Sequence, residues 1–245
     1  MNYKAVLQYE GTRYRGWQSQ GNTENTIQGR LEAVLSRMEG APVEVHGSGR
    51  TDAGVHAAGQ TISFQSGCGR SAGEIRDYMN QYLPEDIAVL SVEEAAPRFH
   101  ARLNAVRKTY VYQIWNSPVQ NIFKRRFQTR IAEPLDVEAM RKAAGLLCGV
   151  HDYRAFCSLK RFQKSTIRSI QEIRIEQDGL EIRISYTGNG FLYHMARILT
   201  GTLVEVGMGL RDYAQMPEII RSQSRANAGR LMPPEGLILM SVEYD

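Results

Sequence analysis

Two residue periodicities alternate along this chain, and their order recurs. Apolar residues fall at every second position from 3 to 9 (Tyr3, Ala5, Leu7, Tyr9), which predicts a strand with one buried face. Ile27, Leu31, Val34, Leu35 and Met38 then follow helical spacing, with Asn25 or Thr26 placed to cap the helix. Short strands are predicted over residues 43–46 and 61–64. Ser71 and Glu74 form a capping-box pattern ahead of Ile75, Met79 and Leu83, and Pro84 ends that helix. A strand over 87–92 completes the order β-α-β-β-α-β, the split ferredoxin-like unit.

The second half repeats that order loosely. A strand over 109–115 precedes a helix over 137–147 capped by Asp136, and Asp178-Gly179 signals a hairpin between strands over 170–176 and 180–185. A long helix is predicted over 191–206, a short one over 216–222 and a closing strand over 237–242. The expected fold class is therefore α+β: two ferredoxin-like βαββαβ domains, 1–105 and 106–245, with mixed antiparallel sheets and helices on one face. At 245 residues the chain is long enough for each to bury its own core.

The stretch between the second and third predicted strands carries the chemistry. Gly47-Ser48-Gly49-Arg50-Thr51-Asp52-Ala53-Gly54-Val55-His56-Ala57 sets one carboxylate among glycines and beside a guanidinium. Glycine lets a bulky ligand approach the main chain, and the neighbouring cation favours the charged carboxylate. An ionised aspartate in an open loop suits a nucleophile or base better than a proton donor. The plainer reading is a tight turn whose aspartate caps backbone amides. A dinucleotide-binding loop is excluded because the segment runs on into Gly59-Gln60 and a strand, not into a helix.

Composition narrows the classes further. With 42% hydrophobic and 23% charged residues, the chain reads as an ordinary soluble globular protein. No apolar run approaches the roughly 18 residues of a membrane span, and the N-terminus lacks a signal-peptide pattern. Cys68, Cys148 and Cys157 show no paired-ligand spacing, which fits a reducing cytoplasm. The five histidines are scattered, so no metal site is expected. His56 is expected to position the loop or to touch a phosphate.

The net charge of +4 is compatible with a nucleic-acid partner. Basic residues gather in three groups: Arg98, Arg102, Arg107 and Lys108; Lys124, Arg125, Arg126 and Arg130; and Arg154, Lys160, Arg161, Lys164 and Arg168. Tyr153, Phe156 and Phe162 interleave the third and are candidates for stacking on bases. Most charge runs are solvated faces, and that reading stands beside RNA binding.

Gly-Arg-Thr-Asp-Ala-Gly-Val-His-Ala around Asp52 resembles the catalytic segment of the TruA family of tRNA pseudouridine synthases. The likeness extends through Tyr9-Glu10-Gly11, Gly16-Trp17-Gln18, Thr26-Ile27-Gln28, Gly59-Gln60, the segment from Arg107 to Tyr112, the segment from Gly190 to Arg197, and Gly236-Leu237. The resemblance implies two domains whose joined sheet forms a V-shaped cleft. It implies conversion of uridine to pseudouridine in tRNA, with positions 38, 39 and 40 at the foot of the anticodon arm as the usual targets. No cofactor or metal is implied; tRNA and a second copy of the chain are.

Residue by residue, the resemblance makes Asp52 the catalytic carboxylate, attacking C1′ or removing the 2′ proton. Arg50 would hold the extruded nucleotide, and Arg197 would meet Asp52. Tyr110, rather than Tyr112, would pack on the uracil, although an aromatic residue in a strand is usually core. Arg197 could equally be a rim arginine with its stem along apolar surface. Three alternatives stand beside this reading: a synthase for another RNA position, a non-catalytic RNA-binding module, and a carboxylate-dependent hydrolase of small substrates. The last would usually need a second positioned carboxylate.

Overall fold

In strand β1 (Asn2–Tyr9) the alternating side chains Tyr3, Ala5, Leu7 and Tyr9 are all buried, as their spacing requires. The computed structural model describes residues 1–19, 21 and 25–245. They group into two compact units, Met1–Val106 with Leu239–Asp245, and Arg107–Ile238. The last seven residues, expected with the second half, thus lie with the first.

In the first unit α1 (Ile27–Glu39) is capped by Thr26, whose hydroxyl accepts from Gly29 N at 3.1 Å. Strands β2 (Val45–Gly47) and β3 (His56–Gln65) follow, then α2 (Ala72–Tyr82) and β4 (Ile87–Glu94). The order β4-β1-β3-β2 is antiparallel throughout. Helix α2 opens on the expected capping box, with Glu74 N bonded to Ser71 Oγ and Ser71 N bonded to the Glu74 carboxylate. Ser71→Ala should lower stability by about 1 kcal/mol, read as a shift in urea midpoint at unchanged slope.

The second unit contains most of β5 (Ala105–Asn116), β6 (Thr129–Ile131), α3 (Val137–Leu147), β7 (Gly149–Asp152), β8 (Ile167–Asp178), β9 (Glu181–Gly188), α4 (Met195–Gly207) and α5 (Met216–Ser222). Its strands lie in the order β5-β9-β8-β7, with β6 parallel to β5. Strand β10 (Leu237–Tyr244) closes the chain and lies next to β3. The protein is α+β. Asp136 caps α3 through a bond from Ala139 N at 2.9 Å.

Two expectations need correction, and two strands carry no sequence signal. Helix α4 begins at Met195 rather than 191, because His194 takes φ 66°, a left-handed conformation that cannot continue a right-handed helix. The hairpin turns on Gly179-Leu180, one residue later than expected, since Asp178 pairs with Glu181. The strands β6 and β7, of three and four residues, are too short for periodicity to reveal.

Candidate active site

Asp52 begins a tight turn. Val55 N donates to Asp52 O at 3.1 Å, and Gly54 takes φ 80°, the positive angle that a type II turn requires at its third position. The carboxylate-bearing residue is half-buried, while Thr51 before it and Val55 and His56 after it are buried. Asp52 thus projects from a corner whose flanks are fixed.

The flanks are fixed by the chain around residue 16. Trp17 N donates to Thr51 O at 3.0 Å. Gly16 has φ 93°, and a Cβ there would lie 2.9 Å from Thr51 O, so this approach to the aspartate loop admits only glycine. Gly11 N donates to His56 Nδ1 at 3.0 Å, which leaves the proton of a neutral ring on Nε2. With 2% of its surface exposed, His56 positions the loop. Trp17 is core and packs against Gly47.

Beneath the loop lies a buried polar cluster. Ser48 Oγ donates to Gln60 Oε1 at 2.6 Å, and Gln60 Nε2 donates to Gly49 O at 3.0 Å. Tyr9 OH and Thr51 Oγ1 are 2.8 Å apart. In the sequence Gly16 and Gln60 stand only as landmarks of a resemblance, and Tyr9 as a landmark and a buried residue of β1. The available signal was a glutamine between apolar, small and hydroxylated neighbours in β3.

Arg50 is exposed and has no hydrogen bond or ion pair among the described residues. In the second unit Arg197 lies in the first turn of α4, a helix buried on nearly every side. Its Nε donates to Met232 O at 2.7 Å, and only 8% of the residue is exposed. The segment bearing Met232 is held on α4 by two further bonds, from Gly229 N to Thr202 Oγ1 and from Arg230 N to Glu205 Oε1. Arg197 is therefore a buried arginine, not a rim residue.

Tyr110 stands opposite Tyr186 in the pairing of β5 with β9, and its ring meets Phe191 edge-on at 5.0 Å. It is 8% exposed and shares a face with Tyr112 and Ile114. The Tyr112 hydroxyl is engaged internally by Thr129 Oγ1 and Pro233 O.

The basic groups divide on inspection. Tyr153 and Phe156 are fully buried core residues, so they cannot stack on bases as expected. Phe162 is half-buried beneath the Arg154 guanidinium, while Lys160, Arg161 and Lys164 are exposed. In the second group, Lys124 pairs with Glu181 and Arg130 donates to Pro118 O. Among the described residues no group of three or more His, Cys, Asp or Glu is placed to hold a metal ion.

Comparison with known proteins gives this geometry its context. A family model described as tRNA pseudouridine synthase matches residues 5–104 and 143–245. The chain belongs to the tRNA pseudouridine synthase family. Similar curated proteins include tRNA pseudouridine synthase A 2 of Bacillus cereus, 42% identical over 243 residues and 99% of both chains. Another is tRNA pseudouridine synthase A of a Bacillus species, 44% identical over 243 residues and again 99% of both. That of Brevibacillus brevis is 42% identical over 241 residues and 98% of both. Family membership makes the protein an isomerase, with tRNA as its implied substrate. Arg50, Asp52 and Arg197 lie inside the matched stretches of the family model, and Tyr110 lies between them. No helix among the described residues is long and apolar enough to cross a membrane.

Proposed function

We propose that the enzyme isomerises uridines in the anticodon arm of tRNA, at positions 38, 39 and 40, with Asp52 as its catalytic carboxylate. The observation that carries this reading is the half-buried aspartate at a turn whose neighbours are pinned on both sides. The N1–C1′ bond breaks, the uracil rotates while held, and C5 bonds to C1′. The C5 proton leaves and N1 gains one, so atoms balance without an external reagent. Asp52 either adds to C1′ or removes the 2′ proton, and a primary isotope effect from deuterium at C2′ belongs only to the second route.

Arg50, exposed beside Asp52, suits a phosphate of the extruded nucleotide. Arg197 binds the substrate, and Tyr110 packs on the uracil and assists loss of the C5 proton. Extrusion costs a few kcal/mol, least near a loop, which favours the anticodon arm. The enzyme works in the cytoplasm as a homodimer. Its 117–128 loop exposes Val119, Ile122 and, at 97%, Phe123, an apolar tip suited to a second copy. Sedimentation velocity of wild type and Phe123→Asp checks that assembly.

Tritium release from [5-³H]uridine-labelled tRNA, followed by mapping of the modified nucleotide, tests the reading. Pseudouridine at 38–40 is expected. Modification elsewhere makes this a synthase for another position, and binding without release makes it a non-catalytic module. The exposed Arg161 and Lys164 supply a further prediction. Reversing both charges should weaken tRNA binding and flatten its dependence on salt, by about one counterion per lost phosphate contact. Unchanged affinity and slope would make that group a solvated face.

A further inference from the structure

We propose that Tyr9, next to the Gln60 amide, is a positioning residue for Asp52, acting through the side chain of Thr51. The inference rests on the reading of Asp52 as the catalytic carboxylate. It starts from the Gln60 amide, whose hydrogen-bond directions the chemistry of its partners determines. Gly49 O can only accept, so the Gln60 amide nitrogen must face it, at 3.0 Å. Gln60 Oε1 then accepts from Ser48 Oγ at 2.6 Å. The second N–H of the amide points to Tyr9 OH at 3.5 Å, a long bond. Tyr9 OH and Thr51 Oγ1 lie 2.8 Å apart, where either oxygen can donate; with the amide N–H on the phenol oxygen, the phenol proton is left for Thr51.

Every member of this relay is buried: Tyr9, Ser48, Thr51 and Gln60 are exposed by 4%, 0%, 6% and 0%. Burial pushes the Tyr9 pKa up to about 12, against the smaller downward pull of its bonds to Thr51 and Gln60. The phenol therefore keeps its proton at physiological pH and stays a donor. Trp17 N holds Thr51 from the backbone side at 3.0 Å. Thr51 is thus gripped at both its carbonyl and its hydroxyl, and its Cα fixes where the next residue, Asp52, begins. Buried polar bonds of this kind are worth satisfying completely, because a half-satisfied set costs more than an apolar one.

Two roles compete for such a cluster: holding the fold together and aiming the carboxylate. Tyr3 provides the control. It lies on the same buried face of β1, and its hydroxyl reaches Arg70 O at 3.4 Å and Met1 Sδ at 3.6 Å. Tyr3→Phe and Tyr9→Phe each delete one hydroxyl from the same face of one strand, but only the second touches the aspartate loop.

The experiment compares Tyr9→Phe, Thr51→Val, Thr51→Ser, the Tyr9→Phe/Thr51→Val double variant and Tyr3→Phe. It reads single-turnover tritium release at saturating enzyme, tRNA Kd and thermal melts. Tyr9→Phe and Thr51→Val should each slow the chemical step about tenfold or more, the scale of a small misplacement of a reacting group, with Kd within twofold. The double variant should be no slower than the slower single, because both break the same link. Thr51→Ser, which keeps the oxygen, should stay within about threefold of wild type, and Tyr3→Phe should match it. A wild-type rate in Tyr9→Phe, additive losses in the double variant, or an equal loss in Tyr3→Phe would overturn the proposal. If Thr51→Val melts below the assay temperature, the pair Tyr9→Phe and Thr51→Ser decides. An inactive Asp52→Asn beside a fully active Tyr9→Phe removes only the positioning role. Turnover in Asp52→Asn removes the reading on which that role depends.

Discussion

Asp52→Asn is expected to abolish tritium release from [5-³H]uridine-labelled tRNA while leaving tRNA affinity within a few-fold of wild type. The substitution preserves shape. The turn itself survives, because its closing bond runs from Val55 N to the backbone carbonyl of residue 52. What is lost is an anionic oxygen. If the carboxylate acts as a base, a loss of about 10²–10⁴-fold follows; loss of a covalent nucleophile is larger, reaching about 10⁶-fold where a catalytic unit fails together. Appreciable turnover in the Asn variant, with its melting temperature unchanged, would remove Asp52 from the chemistry.

Tyr110 has the second large effect, and two substitutions divide its possible roles. Tyr110→Phe is expected to fold with a wild-type melting temperature, bind tRNA normally and turn over about 10²-fold or more slowly, as removal of a proton-transferring group would require. A residue that served only as a stacking platform would leave the Phe variant active, since the ring remains. The burial of Tyr110 and its edge-on packing against Phe191 make the opposing outcome concrete. A fully active Phe variant, together with an Ala variant destabilised by about 3–5 kcal/mol, would return the residue to the core. Single-turnover assays beside thermal melts separate the two.

Much of this was legible in the residues themselves. The alternation in β1 named the four side chains that are buried there, and Thr26, Ser71 and Asp136 cap the helices that their positions suggested. These features follow from bonds and periodicities a few residues long, so a linear reading reaches them. The resemblance around Asp52 likewise led to the family. Where local signals failed, the deciding contact came from elsewhere in the chain. Helix α4 starts late because His194 is left-handed, and its ring bonds to Ser158 Oγ, 36 residues away. Tyr153 and Phe156 lie between basic residues in sequence, yet packing buries both.

The same division runs through the candidate site. Sequence alone determined the α+β class, the loop that carries the one carboxylate, and the family, because each is written in short-range spacing or in a specific run of residues. Tertiary structure alone decided that Tyr9, Gln60 and Ser48 converge beneath that loop. Tyr9 is 42 residues from Thr51 and 51 from Gln60 along the chain, and only the pairing of β1 with β3 brings them within hydrogen-bond reach. A hydrogen bond is specific in distance and direction, and no periodicity encodes a partner so far away.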